Sequence, residues 1–190
     1  EVARYELAEH AAGRFLDAGF RTIGIDHFAR PGDGLAVAAE TGRLRRNFQG
    51  YTDDTCPTLI GLGASSISRL PSGYVQNAAA TPAYVQRIEA GQLAGARGHV
   101  MTGHDLLRAR AIEMLMCDFS LDLAALREVH GPDADRLRPE MALIAEQFGD
   151  LVEVTPETVA IRPEGRALTR IIASRFDAHV PEGARYSQAS

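Results

Sequence analysis

Phe20-Arg21-Thr22-Ile23-Gly24-Ile25-Asp26-His27-Phe28 is the stretch on which the fold class turns. It is a short apolar run rich in β-branched and aromatic residues, and it reads as a buried strand. Before it, Leu7, Ala11, Phe15 and Ala18 recur at helical spacing, which predicts an amphipathic helix from about Val2 to Ala18. Gly19 stands where a helix C-terminal cap belongs. A helix, a glycine turn and an apolar strand form the α-to-β half of an α/β unit, which argues for a parallel sheet. Asp26 and His27 then fall at the C-terminal end of that strand, where α/β folds place ligands. His27 is accordingly a candidate ligand or proton donor facing a pocket, against the plainer alternative of a histidine anchoring the following turn.

Beyond this stretch, Arg30 to Gly34 is a turn, and a short helix from about Leu35 to Thr41 is stopped by Gly42. Asn47 to Thr55 is polar and reads as loop, or loop with an edge strand. Leu59 to Ser68 is rich in glycine and small residues, which let a backbone approach something closely; it reads as a closely packed strand. Tyr74 to Asn77 is extended. Thr81, as cap, and Pro82 open a helix through about Ala90. Gly91, Gly95 and Gly98 break up the segment after that helix, and a domain boundary is set there, giving domains 1–98 and 99–190.

The remainder changes character. Thr102 and Asp105 form a capping-box pattern ahead of a helix to about Cys117. Ser120 can cap a short helix ending near His130. Leu137, Met141, Ile144 and Phe148 make one helical stripe that belongs to a core, with Gly149 after it. Residues 151–154 and 158–161 bracket Thr155-Pro156-Glu157 as a β-hairpin, and Pro163 starts a last helix carrying Leu168, Ile171, Ile172 and Phe176. Three helices, a hairpin and a helix is a winged-helix-like order.

Composition narrows the function classes. Apolar residues are 45% of the 190, charged residues 24%, ordinary proportions for a folded soluble protein. No apolar run approaches the roughly 20 residues that span a bilayer. The first residues have no signal-peptide core, and a cytoplasmic protein is expected. The chain begins without Met inside a predicted helix, as a fragment of a longer chain would. All 20 basic residues are Arg. The net charge of −5 is concentrated between Gly131 and Ile161, where Asp133, Asp135, Glu140, Glu146, Asp150, Glu153 and Glu157 face only Arg136 and Arg138. Two cysteines, Cys56 and Cys117, are too few for a disulfide scaffold and too far apart in sequence for a chelating pair. His99 and His104 are spaced poorly for a metal, so no metal ligands are assigned.

Gly24-Ile25-Asp26-His27-Phe28-Ala29 resembles the oxygen-independent coproporphyrinogen III oxidases. The resemblance continues through Arg46-Asn47-Phe48-Gln49-Gly50-Tyr51-Thr52, Gly61-Leu62-Gly63-Ala64-Ser65-Ser66-Ile67-Ser68 and Tyr74-Val75-Gln76-Asn77, in the same order and spacing. It implies the C-terminal part of an incomplete parallel α/β barrel followed by a mostly helical domain. It also implies a radical S-adenosylmethionine (SAM) enzyme of haem biosynthesis. In that family a [4Fe–4S] cluster held by a Cys-x3-Cys-x2-Cys motif cleaves SAM, and the resulting radical takes a hydrogen from the β-carbon of a propionate. Loss of CO₂ and an electron leaves a vinyl group, and two rounds turn coproporphyrinogen III into protoporphyrinogen IX. Two SAM molecules are bound. Residue by residue, Ile67 matches a position touching cluster-bound SAM, and Phe48 and Gln49 match positions near the second SAM. An apolar wall and an amide that both donates and accepts suit an adenine.

Cys56 and Cys117 cannot supply the cluster motif, so the resemblance places the cluster ligands outside this chain and implies that the fragment alone is inactive. Arg43, Arg45 and Arg46 could meet a substrate bearing four carboxylates or could form a solvated helix end. Arg43 and Arg46 join His27 as candidate substrate contacts. The expected partners are coproporphyrinogen III and an electron acceptor that no motif identifies, with no nucleic acid, no membrane span, and a monomeric full-length enzyme. A related haem chaperone is disfavoured by the Asn47–Thr52 block, which that group lacks. A winged-helix nucleic-acid binder would place its recognition helix at about Ala134 to Phe148, and that segment is acidic where phosphates need Arg or Lys. A partial sheet with open edges is expected to aggregate or to be held by contacts with other copies.

Overall fold

Helix α1 (Val2–Asp17) ends as its sequence requires: Gly19 adopts φ 82°, and the Phe20 amide donates back to the Phe15 carbonyl. The computed structural model describes residues 2–179. Their contacts divide the chain into two units, Glu1–Asp53 with Leu107–Ser190, and Asp54–Leu106.

In the first unit the decisive apolar stretch does not form one strand. Gly24 takes φ 57° and turns the chain, so that β1 (Arg21–Ile23) and β2 (His27–Ala29) pair antiparallel, Ile23 opposite His27. The expected parallel sheet is thereby corrected: every ladder among the described residues is antiparallel. A parallel neighbour needs a crossover of about a dozen residues, whereas the left-handed glycine folds this run back within three. Of the apolar stripe on α1, Phe15 stacks on Phe28 and meets Phe20 edge-on, while Leu7 stays exposed. Helix α2 (Gly34–Glu40) is capped by Asp33, whose carboxylate accepts from the Leu35 amide, and it buries Ala36 and Ala38. Strands β3 (Arg45–Asn47) and β4 (Gly50–Thr52) form a second hairpin. Ile23, Ala29, Ala36, Ala38, Leu44, Tyr51 and Cys117 make a small core under these hairpins.

The second unit is built on β5 (Ile67–Leu70), β6 (Gly73–Asn77) and β7 (Gly95–Val100), in the order β5-β6-β7. Helix α3 (Thr81–Glu89) lies between the last two in sequence. Its cap is Ala80, one residue before the expected Thr81, and no side chain serves there. Residue 98, the expected boundary, lies within β7. The capping box forms as read: the Thr102 hydroxyl accepts from the Asp105 amide, and the Asp105 carboxylate accepts from the Thr102 amide.

Helix α4 (Gly103–Asp118), from Leu107 onward part of the first unit, leads into the larger core. After it come β8 (Ser120–Asp122), α5 (Leu123–His130), a 3-10 segment at Gly131–Leu137, α6 (Arg138–Phe148), β9 (Val152–Val154) and β10 (Thr158–Ile161). The three strands form a sheet ordered β8-β10-β9. Strand β8 is unexpected: Ser120 sits in it, and Asp122, not Ser120, caps α5 by accepting from the Ala124 amide. The last expected helix is broken into 3-10 turns around a short α7 (Thr169–Ala173). Leu107, Leu115, Leu121, Leu126, Leu137, Ile144, Val159, Ile172 and Phe176 are fully or nearly fully buried in this core. Burial of a large aliphatic or aromatic side chain stabilises by about 1.5–3 kcal/mol each, so this cluster is the main source of the unit's stability. No described helix is long and apolar enough to cross a membrane.

A ring of charges pins the β9–β10 hairpin to α5 and α6. Arg127 and Arg138 both donate to Asp135 and Glu157, and Arg138 also donates to the Pro156 carbonyl. Hydrogen bonds from Arg127 first and Arg138 second hold Asp135 and Glu157 well below the usual carboxylate range, to about 2 each. Both groups titrate lower folded than unfolded. The stability they contribute is therefore complete above roughly pH 5 and is lost as pH falls through about 2. Melting midpoints of the chain and of an Asp135→Asn/Glu157→Gln variant should differ near neutrality and converge toward about pH 2. A gap that stays constant across that range would contradict the pairing.

Candidate functional site

Tyr51 is the centre of the first unit's site. Its ring is buried and its hydroxyl lies between two strangers in sequence: it accepts from the Ile25 amide at 3.0 Å and donates to the Met116 carbonyl at 2.9 Å. Burial pushes its pKa up, so the phenol keeps its proton and can donate. The ring reaches Ile25 because position 24 has no side chain: a Cβ on Gly24 would stand 2.0 Å from Tyr51 Cζ.

Two candidate residues flank this ring. His27 meets it edge-on, centroids 5.0 Å apart, and the Arg46 guanidinium lies 5.5 Å from its centroid. His27 Nδ1 is 2.8 Å from Asp26 Oδ1, and the other Asp26 oxygen accepts from Arg170 Nη2 at 2.6 Å. A carboxylate only accepts, so Nδ1 carries a proton and Nε2 remains for a ligand or a proton. Nε2 lies beside Gly50, where a Cβ would come to 3.2 Å. The Arg46 amide donates to Glu113 Oε1, whose other oxygen accepts from Arg110, while Arg46 Nε is buried without a hydrogen-bond partner among the described residues. Arg43 is turned elsewhere: its Nε donates to the Thr41 hydroxyl at the end of α2.

Phe48 and Gln49 are the two residues of the β3–β4 turn. Two-residue hairpins usually rely on glycine or asparagine at positive φ, and neither Phe48 nor Gln49 has it. The Asn47 carboxamide compensates, accepting from the Gln49 and Gly50 amides at 2.8 and 3.2 Å. The turn thus holds an aromatic ring, 56% exposed, and an exposed amide at its tip. A flat face and a two-way hydrogen-bonding group there fit an adenine-bearing ligand.

In the second unit Ile67 opens β5, half-buried. The segment before it is not the expected strand but a closed loop. Gly61 approaches its own chain, since a Cβ there would meet Ser66 Cβ at 2.9 Å and the Ile67 carbonyl at 3.0 Å. The small residues therefore serve the loop's own closure.

Neither thiol suits an iron–sulfur cluster. Burial first, then Glu113 and Asp118, push the Cys117 thiol up to about 12, whereas a ligand must be a thiolate. Cys56 is exposed in the other unit, its thiol 3.3 Å from the Thr58 carbonyl. The structure therefore brings His27 and Arg46 together at Tyr51, with Phe48 and Gln49 on the same hairpin, and leaves Arg43 bonded to Thr41 and Ile67 in the second unit. Tyr51, Arg170 and Asn77 are missed by sequence reasoning, although Tyr51 and Asn77 lie inside the blocks that carry the family resemblance.

No family model matches the chain. Over its whole length it is 56% identical to an oxygen-independent coproporphyrinogen III oxidase of Cereibacter sphaeroides, covering 42% of that protein. It is 50% identical over 98% of its length to one of Paracoccus denitrificans, covering 41% of that protein. The chain thus spans about two-fifths of the length of these curated relatives. Among solved structures it matches coproporphyrinogen III oxidase of Escherichia coli, a radical SAM enzyme, with a TM-score of 0.83 at 33% identity, over 90% of this chain and 40% of that one.

Replacing Tyr51 with Phe keeps the ring and strips the Ile25 amide and the Met116 carbonyl of a shared partner. We expect a loss of roughly 1–3 kcal/mol in urea unfolding. A loss within experimental error would mean that the two groups find other partners.

Proposed function

We propose, from this whole-length kinship with oxygen-independent coproporphyrinogen III oxidases, that the chain is part of a radical SAM enzyme. That enzyme converts two propionates of coproporphyrinogen III to vinyl groups. The observation that carries the reading is the match along the whole chain, including the Asn47–Thr52 block at the hairpin tip. The [4Fe–4S] cluster and SAM, when bound, supply a radical that removes a hydrogen from a propionate β-carbon, after which CO₂ and one electron leave. The cluster ligands belong to residues outside this chain, and the fragment by itself is inactive.

This chain's own part is to bind and orient. Phe48 offers its exposed ring as an apolar wall, and the Gln49 amide reads the edge of a second SAM. Ile67 gives an apolar contact to the cluster-bound SAM. Arg46 lies against Tyr51 with an unpartnered buried Nε, and its guanidinium meets a substrate carboxylate by charge-assisted hydrogen bonds. His27 presents Nε2 to the same substrate, its ring fixed by Asp26. Arg43, three residues before Arg46, becomes a third carboxylate contact only by giving up its bond to the Thr41 hydroxyl.

The 1–98 part is a remnant of a partial barrel, and 99–190 is a winged-helix-like domain. The order α4-β8-α5-α6-β9-β10, with strands arranged β8-β10-β9, supports the second assignment. That domain acts in protein packing rather than on nucleic acid: Arg127 and Arg138, beside and at the start of the would-be recognition helix, are already engaged by Asp135 and Glu157. Phosphate neutralisation needs uncommitted cations.

The test uses the full-length protein, reconstituted anaerobically with iron and sulfide and given coproporphyrinogen III, SAM and a reductant. Mass spectrometry should find 5′-deoxyadenosine and decarboxylated porphyrinogen, and Gln49→Ala and Ile67→Ala should suppress both. Deoxyadenosine with untouched porphyrinogen would assign the chain to a radical SAM enzyme with another substrate.

A further inference from the structure

The Tyr74-Val75-Gln76-Asn77 block has no assigned part in the radical chemistry, yet its last two side chains hold the glycine loop. Asn77 Nδ2 donates to both the Gly61 carbonyl, at 3.1 Å, and the Gly63 carbonyl, at 2.9 Å. The Gly61 amide donates to Ser68 Oγ at 3.0 Å, and the Gly63 amide to the Tyr84 hydroxyl at 3.2 Å. Ser65 sits between them with φ 62°, a left-handed backbone that a non-glycine residue keeps only where its surroundings hold it. Here they do: its amide donates to the Ala78 carbonyl, and its carbonyl accepts from Gln76 Nε2 at 2.9 Å. Gln76 is in turn fixed by Arg97 Nε, 2.6 Å from its Oε1. The loop's polar groups are thus turned onto β6, α3 and β5, all within one unit, while Ile60 and Leu62 are left outside, 62% and 85% exposed. A surface loop with no ligand to shape would gain little from so many fixed bonds. A loop that must present one backbone shape to a ligand gains pre-organisation.

We infer that Asn77, with Gln76 and Tyr84 in support, is a positioning residue for SAM. By clamping the Gly61 and Gly63 carbonyls it sets the backbone of Ser66 and Ile67 in the shape that receives the cofactor. The inference rests on the reading of Ile67 as a cofactor contact. Asn77→Asp keeps the side chain's size, removes both donated hydrogen bonds and turns a carboxylate oxygen against a carbonyl. Tyr84→Phe is the milder variant and removes only the acceptor for the Gly63 amide.

SAM binding to the reconstituted full-length protein, followed by equilibrium dialysis without substrate, gives a readout independent of turnover, and the melting midpoint of each variant is taken alongside. We expect Asn77→Asp to weaken SAM binding by about tenfold or more, the order that one or two lost hydrogen bonds produce. Tyr84→Phe should weaken it less, with its melting midpoint nearly unchanged. In turnover, KM for SAM should rise more than kcat falls. SAM affinity within twofold of the parent in both variants would overturn the inference, whatever the melting midpoints do. If Asn77→Asp does not fold, Tyr84→Phe decides alone: weakened binding with an intact melt supports the clamp, and unchanged binding refutes it. Ile67→Ala separates the two readings. Should it leave SAM affinity intact while Asn77→Asp weakens it, the loop backbone receives the cofactor and the Ile67 side chain does not. Should it weaken affinity while both clamp variants bind normally, the Ile67 contact stands and the clamp falls.

Discussion

One phenolic oxygen organises the first unit. The Tyr51 hydroxyl joins the turn of the β1–β2 hairpin, the β3–β4 hairpin and the last turn of α4, three segments with no neighbourhood in sequence. Each partner is a backbone group in or near the core, where an unmet donor or acceptor costs about 1–3 kcal/mol. Satisfying both with a single proton and a single lone pair leaves little freedom in how the three segments meet. The same ring then becomes the surface on which His27 and Arg46 are set, so the geometry of the candidate site is inherited from a packing constraint. Arg170 completes the arrangement from α7, 144 residues away, by holding the carboxylate that holds the histidine.

The C-terminal core carries its acidity differently from what its composition implies. Seven acids against two bases between Gly131 and Ile161 look like a repelling patch. In space, Arg127 comes in from α5, and two of the acids, Asp135 and Glu157, are shared between it and Arg138. A third, Glu140, is taken by Arg108, which also donates to the carbonyl of the buried Phe176. Pairs as exposed as the Arg127 and Arg138 bridges add little stability one at a time. Their joint effect is to fix the hairpin on the helices and to take up the guanidinium groups that a nucleic-acid-binding role would need.

Legibility in the sequence divides along physical lines. Periodicity and caps locate α1, α2, α3 and α4 to within a residue or two, the apolar stripe locates the end of α6 but not its start, which lies four residues after the expected Ala134, and alternation locates the β9–β10 hairpin, because those signals are local. The errors lie where a distant contact decides. Residues 20–28 carry the apolar content of one strand, and only Tyr51, which needs an empty position at Gly24, shows why they must be a hairpin. Strand β7 holds Gly95 and Gly98, which in sequence signal breaks. Yet a Cβ at Gly98 would stand 2.8 Å from the Tyr74 carbonyl, so the glycine is what lets β7 lie against β6. The three-residue β8 has too few residues to alternate at all. Phe48, Gln49 and Ile67 rest on resemblance alone, since nothing in their local pattern separates them from ordinary turn and strand residues.

The same contrast explains why the blocks that carry the resemblance hold so many glycines and so few obviously reactive groups. Gly24 makes room for Tyr51, Gly50 for the His27 ring, and Gly61 for the loop's own return. Each is paired with a side chain that donates or accepts twice: Tyr51 to Ile25 and Met116, Asp26 to His27 and Arg170, Asn77 to Gly61 and Gly63. A residue with two fixed partners has few alternative rotamers, so the backbone beside it is held in one shape before any ligand arrives. On the proposed reading, the reactive atoms belong to a bound cofactor and the chain contributes position. Blocks composed of glycines and doubly bonded polar side chains are what such a division of labour would leave in a sequence.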